Sequence, residues 1–295
     1  MQEKALELAG GSLYYEINHN AITITRLQGS SSEVSIPAEV EGLPVRELAK
    51  KSFLSKKALR RVILPETLEV IGDWAFAYCD GLETVTLPGH DISFGKAVFL
   101  DCVGLKRLEI MGKDDAVAAL LAAAVTTVKA EYLLNIKEAG SEEWLAKWDA
   151  RMLELLGRPD REGFSRQVLC GEEDYGSTDL EAFMQEKRRE KVRLLLLRCL
   201  HSLGLSRENR HKLEGYLLAH TKGCATEETW QVIWKEHGED SSYYRLFVEL
   251  GCLTEQNFEG ILKDIGEDYP EMKAFFLRYK EEKIGYEGFF ENLEL

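Results

Sequence analysis

The fold of the first third of this chain is decided by the stretch Ile71-Gly72-Asp73-Trp74-Ala75-Phe76-Ala77-Tyr78-Cys79-Asp80-Gly81-Leu82-Glu83-Thr84-Val85-Thr86-Leu87-Pro88. Its apolar, glycine and proline positions recur at a step of 23 residues, and Phe53, Phe76 and Phe99 all keep this step. A fixed period of this length indicates stacked supersecondary units, because each unit is too small to bury its own apolar face.

Each unit begins with a short strand pattern and continues into a turn. Val62–Leu64 alternates apolar side chains in the way of a strand, and Pro65 ends that strand because it has no amide donor. Gly72 predicts a tight turn, after which we expect a short helical or 3-10 turn to carry Trp74–Phe76 inward. Stacking predicts a parallel sheet on one side and turns on the other, with a hairpin around Asn18–Asn20 that caps the open edge.

The pattern of the second unit is specific enough to suggest a family. Ile71-Gly72-x-x-Ala75-Phe76-x-x-Cys79-x-x-Leu82-x-x-Val85-x-Leu87-Pro88 resembles the BspA-like (Treponema-type) leucine-rich repeat, over roughly residues 30–112. The first unit departs from it, since Lys56 stands where cysteine is expected. The resemblance implies a curved solenoid used for protein or ligand adhesion, and it implies no catalytic residue.

The strand alternation also predicts which side chains are exposed. If Val62 and Leu64 point into the core, then Arg61 and Ile63 point out of the sheet. The outward positions of all strands form two rows on a concave face: Glu33, Arg61, Thr84 and Arg107, and Ser35, Ile63, Thr86 and Glu109. Because solenoids bind through such faces, these residues are the candidate partner-binding site; the alternative is ordinary solvated strand surface.

The period ends after Ile110, and the remaining sequence predicts helices. A helix over Asp114–Ala124 followed by a strand over Val125–Ala130 should extend and close the sheet. The further helices are expected over Glu142–Leu156, near Arg161–Leu169 and over Leu180–Leu203, the last with an N-cap offered by the stretch Ser177-Thr178-Asp179.

A second repeat with a step of 28 residues lies in the last third. Gly223–Glu227 matches Gly251–Glu255, and each unit predicts a helix hairpin whose first helix is capped by Thr226 or Thr254. These hairpins resemble ankyrin-type helical repeats over about residues 206–283. The terminal apolar residues Tyr286, Phe289, Phe290 and Leu293 are expected to form a cap, and the alternative is an exposed docking stripe.

We therefore predict an α+β chain in which a leucine-rich-repeat β-solenoid is followed by an all-α helical-repeat domain. The expected segments are a capping hairpin at 1–30, the solenoid with a terminal helix–strand unit at 31–135, a helical bridge at 136–205, and hairpin repeats with a C-terminal cap at 206–295.

Charge and composition narrow the function. The net charge of −14 disfavours a nucleic-acid partner, because an acidic chain repels phosphate. The start at Met1–Leu6 has no signal-peptide pattern and no apolar run reaches membrane length, so the expected location is the cytoplasm without membrane contact. A surface location is the alternative if a signal was removed. The six cysteines lie far apart and are expected to be reduced.

Motifs that carry chemistry are missing from the sequence. It contains no glycine-rich phosphate loop, no Gly-x-Ser-x-Gly and no Cys-x-x-Cys, and the acidic stretch Gly171–Gly176 lacks the ligand spacing of a calcium loop. We predict no catalytic residue, no cofactor and no metal. The leading hypothesis is a non-enzymatic scaffold that binds a protein partner through the concave face, with the helical repeats as a further candidate surface. The alternatives are a catalytic or ligand-binding helical domain targeted by the leucine-rich repeats, and a cell-surface adhesin. The sequence does not specify the oligomeric state.

Overall fold

The chain is α+β, as predicted. The structure is a computed structural model that describes residues 3–113, 115–164 and 179–284. Packing divides the chain into two compact units, Met1–Leu155 and Leu156–Leu295. The four segment limits expected from the sequence remain predictions.

Eleven short strands build the first unit within the described residues. Their bounds are β1 Lys4–Leu8, β2 Gly11–Asn18, β3 Ala21–Gly29, β4 Glu33–Ser35, β5 Glu39–Val40, β6 Leu43–Leu48, β7 Arg61–Ile63, β8 Val70–Ile71, β9 Thr84–Leu87, β10 Ser93–Phe94 and β11 Arg107–Ile110. Sheet A has the order β1-β2-β3-β6-β8-β10, and β5 pairs with β6. Sheet B has the order β4-β7-β9-β11, and all its strands are parallel.

Sheet A is larger than the sequence analysis predicts. The expected turn side of the solenoid carries the two-residue strands β8 and β10, which lie between the proline and the glycine of each repeat. The hairpin β2–β3 is present, and its strand β3 pairs with β6, so it covers the first edge of sheet A rather than of sheet B. Strand β1 adds a third antiparallel strand outside it.

The repeated phenylalanines form the core of the solenoid. Phe53, Phe76 and Phe99 stack with ring centroids 5.0 and 5.5 Å apart, and all three are buried. The thiol of Cys79 donates to the carbonyl oxygen of Phe53 at 3.0 Å, and Cys102 donates in the same way to Phe76. The 23-residue step therefore corresponds to one turn of the solenoid.

The repeated glycine and the tryptophan of the second unit do not act as expected. A Cβ on Gly72 would lie 2.6 Å from the amide nitrogen of Lys50 in the preceding turn, so glycine is needed there for close approach of two turns. The positive φ of the turn belongs instead to Trp74, at 55°. The structure forms hydrogen-bonded turns at Trp74–Phe76 and no helix, and Trp74 is 36% exposed while Phe76 is buried. The prediction that Trp74 points inward was wrong.

A helix, and no strand, ends the solenoid. Helix α1, Ala118–Thr126, is preceded by a 3-10 turn at Asp115–Val117 and packs against β11. The strand predicted over Val125–Ala130 does not form. The amides of Val128 and Ala130 donate at 2.8 Å to the carbonyls of Ala123 and Ala124, so the end of the helix uses the donors that a strand would need.

Helix α2, Glu142–Gly157, completes the first unit with its tryptophan stripe. Trp144, Trp148 and Met152 are fully buried. The indole of Trp144 donates to Leu133 O at 2.8 Å, and that of Trp148 donates to Leu120 O at 3.0 Å. These two bonds attach α2 to the segments around α1.

The second unit is helical throughout its described regular elements. Its helices are α3 Leu180–Leu200, α4 Arg207–Ala219, α5 Glu228–His237, α6 Ser241–Glu249, α7 Glu255–Ile265 and α8 Pro270–Tyr279. The pairs α5–α6 and α7–α8 follow the predicted step of 28 residues. Most of the helix expected near Arg161–Leu169, the acidic stretch at 171–176 and the expected cap near Phe290 lie outside the described residues.

The helix caps were predicted in part. Asp179 caps α3 by accepting from the amides of Glu181 and Ala182, and Thr254 caps α7 together with Asn257. The prediction for Thr226 was wrong, because α5 begins after Glu227, which makes no side-chain capping bond. Over the described part of the chain, no helix combines the length and the hydropathy that a membrane crossing requires.

Candidate functional site

The two predicted rows lie side by side on sheet B. The parallel pairing places Glu33 beside Arg61, Arg61 beside Thr84, and Thr84 beside Arg107. It also aligns the second row, which consists of Ser35, Ile63, Thr86 and Glu109. Neighbouring strands of a sheet are about 4.8 Å apart, so each row forms a continuous surface across four strands.

The alternation of burial shows that these rows face away from the core. Val62, Val85 and Leu108 are fully buried between them. Glu33, Ser35 and Arg61 are exposed, and the other five residues of the rows are partly exposed. The strand triplets thus separate core from surface at every second residue, as the sequence predicts.

One carboxylate organises the charged part of this face. Glu109 Oε2 accepts from Arg61 Nη2 at 3.5 Å and from Thr86 Oγ1 at 3.1 Å, and Glu109 Oε1 accepts from Arg107 Nε at 3.2 Å. Arg61 belongs to β7 and Glu109 to β11, so the arginine side chain reaches across β9. The two arginines therefore share one acidic partner.

This ion network orients side chains more than it stabilises the fold. The side chains of Arg61, Arg107 and Glu109 are 46%, 33% and 27% exposed. Ion pairs with this exposure contribute about 0–1 kcal/mol each to folding, because water screens them. A guanidinium held in one direction loses less conformational freedom when it binds a partner, which favours recognition.

The sequence predicted the rows but not the role of Glu109. The spacing of Arg107 and Glu109, two residues apart on one strand, places both side chains on the same face. The bond from Arg61 depends on how far its side chain extends across an intervening strand. That distance has no sequence signal.

Four of the cysteines in the described residues are buried thiols, whereas Cys224 is exposed. Burial raises the pKa of Cys79 to about 11 and that of Cys102 to about 12. Burial also raises the pKa of Cys199 to about 11 and that of Cys252 to about 12. A protonated thiol is a poor nucleophile and a poor metal ligand. In the described ranges, no group of three or more histidine, cysteine or acidic side chains is placed to hold a metal ion.

The second unit contains a partly buried ion cluster around Arg188, in which Arg188 and Glu228 are the buried pair. Its Nε donates to Glu228 at 2.7 Å, its Nη2 donates to Glu181 at 2.7 Å, and Asp160 lies 3.7 Å from its Nη1. Burial acts most strongly on Glu228 and would raise its pKa, but the hydrogen bonds from Arg188, from Thr226 and from its own backbone, together with the charge of Arg188, outweigh burial, so the pKa is lowered. The cluster joins the segment around Asp160 to α3 and α5, which is typical of a structural ion network.

A family model matches the solenoid. Residues 29–118 match the model described as "BspA type Leucine rich repeat region (6 copies)". No curated protein matches the sequence significantly. The match covers the repeat region alone and includes every strand of sheet B.

Three solved structures show partial similarity. A leucine-rich repeat protein of T. pallidum is 31% identical over 32% of this chain and 45% of that chain, with a TM-score of 0.26. A leucine-rich cell surface protein of Faecalibacterium prausnitzii is 26% identical over 36% of this chain and 30% of that chain, with a TM-score of 0.30. A leucine-rich repeat protein of Bacteroides capillosus is 25% identical over 28% of this chain and 70% of that chain, with a TM-score of 0.23. The chain thus spans less than half the length of the first two proteins.

Proposed function

We propose that this chain, whose residues 29–118 form a BspA-type leucine-rich repeat region, is a non-enzymatic scaffold that binds a protein partner through the concave face of sheet B. Leucine-rich repeat proteins are generally interaction or surface proteins. The partner-binding residues are those of the two rows: Glu33, Ser35, Arg61, Ile63, Thr84, Thr86, Arg107 and Glu109.

The observation that carries this proposal is the pair of arginines oriented by Glu109. Arginine is enriched among the residues that dominate interface affinity, since its planar group forms several directed hydrogen bonds. Arg61 uses one of its five N–H donors on Glu109. A partner carboxylate can bind the outer side of such a guanidinium while Glu109 keeps it in place.

The remaining row residues complete a mixed surface. Ile63 offers an apolar contact in the second row, and Thr84 and Thr86 offer hydroxyl groups that both donate and accept hydrogen bonds. Repeats spread contacts over a face in this way, whereas catalysis needs a few groups preorganised in a pocket. A partner with an acidic patch around a small apolar centre suits this surface.

The test is affinity capture from the native host with the full chain as bait. The variant Arg61→Glu/Arg107→Glu reverses both charges on the face. The matched control Arg46→Glu/Lys57→Glu makes the same change in net charge at two exposed residues outside the rows. Both baits should fold like the wild type by circular dichroism.

The proposal expects partners that the wild type and the control capture and that the face variant loses. Loss of two arginine anchors costs about 2 kcal/mol or more each, which lowers recovery far more than tenfold. Partners that the face variant still captures would show that another surface binds them. If no bait captures a protein while the purified chain converts a substrate, the scaffold function is wrong.

A further inference from the structure

The backbone ladder between turns runs regularly through the solenoid. In each earlier repeat, three amides of the phenylalanine turn donate to three carbonyl oxygens of the next turn. The donor–acceptor pairs are Lys51–Asp73, Phe53–Ala75, Ser55–Ala77, Trp74–Lys96, Phe76–Val98 and Tyr78–Leu100, at 2.7–3.0 Å. Each turn therefore binds its successor through every second amide.

The last turn has the same donors but no successor. Ala97, Phe99 and Asp101 follow Trp74, Phe76 and Tyr78 by 23 residues. Ala97 and Asp101 keep the positive φ of their counterparts, at 51° and 53°. Their amides and that of Phe99 have no acceptor within the part of the chain that the structure describes.

Strand β10 has open acceptors beside these donors. The carbonyls of Arg46 and Leu48 accept from Glu69 and Gly72, and those of Glu69 and Ile71 accept from Ser93 and Gly95, at 2.7–2.8 Å. The next positions in this series are the carbonyls of Ile92 and Phe94. Neither receives a donor from the described residues, because β10 pairs only with β8 among them.

Four of the five residues that carry these open groups line a groove at the end of the solenoid. The end groove has a volume of about 840 Å³ and lies between residues 91–103 and residues 125–135. This volume falls in the range of about 300–1,000 Å³ that is typical of ligand pockets. Ile92, Phe94, Phe99 and Asp101 all line it, so the open ladder faces a space that a ligand can enter.

The side chains of the end groove define the ligand further. Leu100, Val103 and Tyr132 are apolar or aromatic residues in its lining that are 41%, 80% and 64% exposed. The charged lining residues are Asp73, Asp91, Asp101 and Glu131 against Lys96 and Lys129. Acidic groups are in excess, so the groove favours an apolar ligand flanked by positive charge.

We propose that the end groove binds an extended segment of a partner polypeptide, which continues sheet A alongside β10. Its amides donate to the carbonyls of Ile92 and Phe94, and its carbonyls accept from the amides of Ala97, Phe99 and Asp101. A polypeptide backbone presents donors and acceptors at this two-residue spacing, which is the basis of strand addition to open sheet edges. The segment carries apolar side chains next to lysine or arginine.

The end groove shares no residue with the two rows of sheet B. Peptide binding in the end groove can therefore be tested independently of partner binding at the proposed concave face. The probe is a library of random twelve-residue peptides displayed on phage and selected on the full chain. Selected peptides are synthesised, and their dissociation constants for the full chain are measured by fluorescence anisotropy.

The groove variant is Val103→Arg, which places a long cation in the groove without touching the core. The matched control is Asp80→Arg, at the exposed position 23 residues earlier, outside the groove. We expect Val103→Arg to raise the dissociation constant at least tenfold, while Asp80→Arg and Arg61→Glu/Arg107→Glu change it less than twofold. Selection of no peptide that is sensitive to Val103→Arg would overturn the proposal.

Single N-methylation along a selected peptide tests the backbone ladder itself. Methylation removes one amide donor, so strand addition predicts at least tenfold weaker binding at alternate positions and little change between them. Binding that tolerates every methylation rules out strand addition. Sedimentation velocity tests whether a second copy of the chain occupies the groove. The proposal is also overturned if the chain self-associates, if Val103→Arg abolishes this self-association, and if the selected peptides do not inhibit it.

Discussion

Replacement of Phe76 by leucine tests how the solenoid is held together. Phe76 is fully buried, and its ring lies between those of Phe53 and Phe99, at centroid distances of 5.0 and 5.5 Å. Leucine keeps an apolar side chain at this position but removes both ring contacts. Phe53→Leu and Phe99→Leu remove one of these ring contacts each.

The expected magnitudes follow from this geometry. An aromatic pair contributes about 0.5–1.5 kcal/mol beyond the area it buries, so the two contacts of Phe76 contribute about 1–3 kcal/mol. The smaller volume of leucine adds a cavity cost that the three variants share. Phe76→Leu should therefore lower the free energy of unfolding by about 0.5–1.5 kcal/mol more than either neighbour variant, which is the contribution of one aromatic pair. Phe76→Ala also removes most of the burial and should cost about 3–5 kcal/mol.

Native-state hydrogen exchange with mass spectrometry is the suitable assay. It gives an opening free energy for each peptide, so β7 and β9 are measured separately from the helices of the second unit. The peptides of the second unit serve as the internal control and should not change. Equal losses in the three leucine variants, or a larger loss for Phe99→Leu than for Phe76→Leu, would refute the stacking argument.

Two further predictions concern ionisable groups. The folded chain is treated with a short maleimide pulse and analysed by peptide mapping, which should show Cys224 modified, because it is exposed. Cys79 and Cys102 should stay intact, because burial raises the pKa values of their thiols. Rapid modification of Cys79 or Cys102 would contradict their place in the core. The pKa of Glu228 is lowered in the fold, so its contribution to stability is complete above the ordinary value of 4.5 and is lost as the pH falls below it. Glu228→Gln should therefore lower the free energy of unfolding at pH 7 by about 3–5 kcal/mol, since Arg188 loses a buried partner. The loss should be smaller at pH 3.5. Urea titrations that show the same loss at both pH values would contradict this.

The sequence predicted the solenoid because a repeat places equivalent residues in equivalent surroundings. A position such as Phe76 that recurs in every unit must tolerate the same neighbours above and below, so it belongs to the core. The rows of sheet B follow from the same logic. Once Val62 and Val85 are aligned by the period, the residues between the buried positions are aligned as well.

The features that the sequence did not predict are either too short to form a recognisable pattern or depend on the geometry of the folded chain. Strands β8 and β10 have two residues each, which is too short for an alternation to be recognised. Trp74 is large and apolar, which suggested burial, but its positive φ and the close approach at Gly72 direct it outward. The shared use of Glu109 by two arginines depends on side-chain reach.

The wrong prediction at Val125–Ala130 explains why the end groove exists. A strand over Val125–Ala130 would have extended and closed the sheet. The helix continues through Thr126 instead, and its last carbonyls take the amides of Val128 and Ala130. The chain therefore ends its solenoid by covering β11 of sheet B with α1, while β10 of sheet A keeps its backbone groups open. The same local choice that ends the repeat creates the edge at which we expect a partner strand to bind.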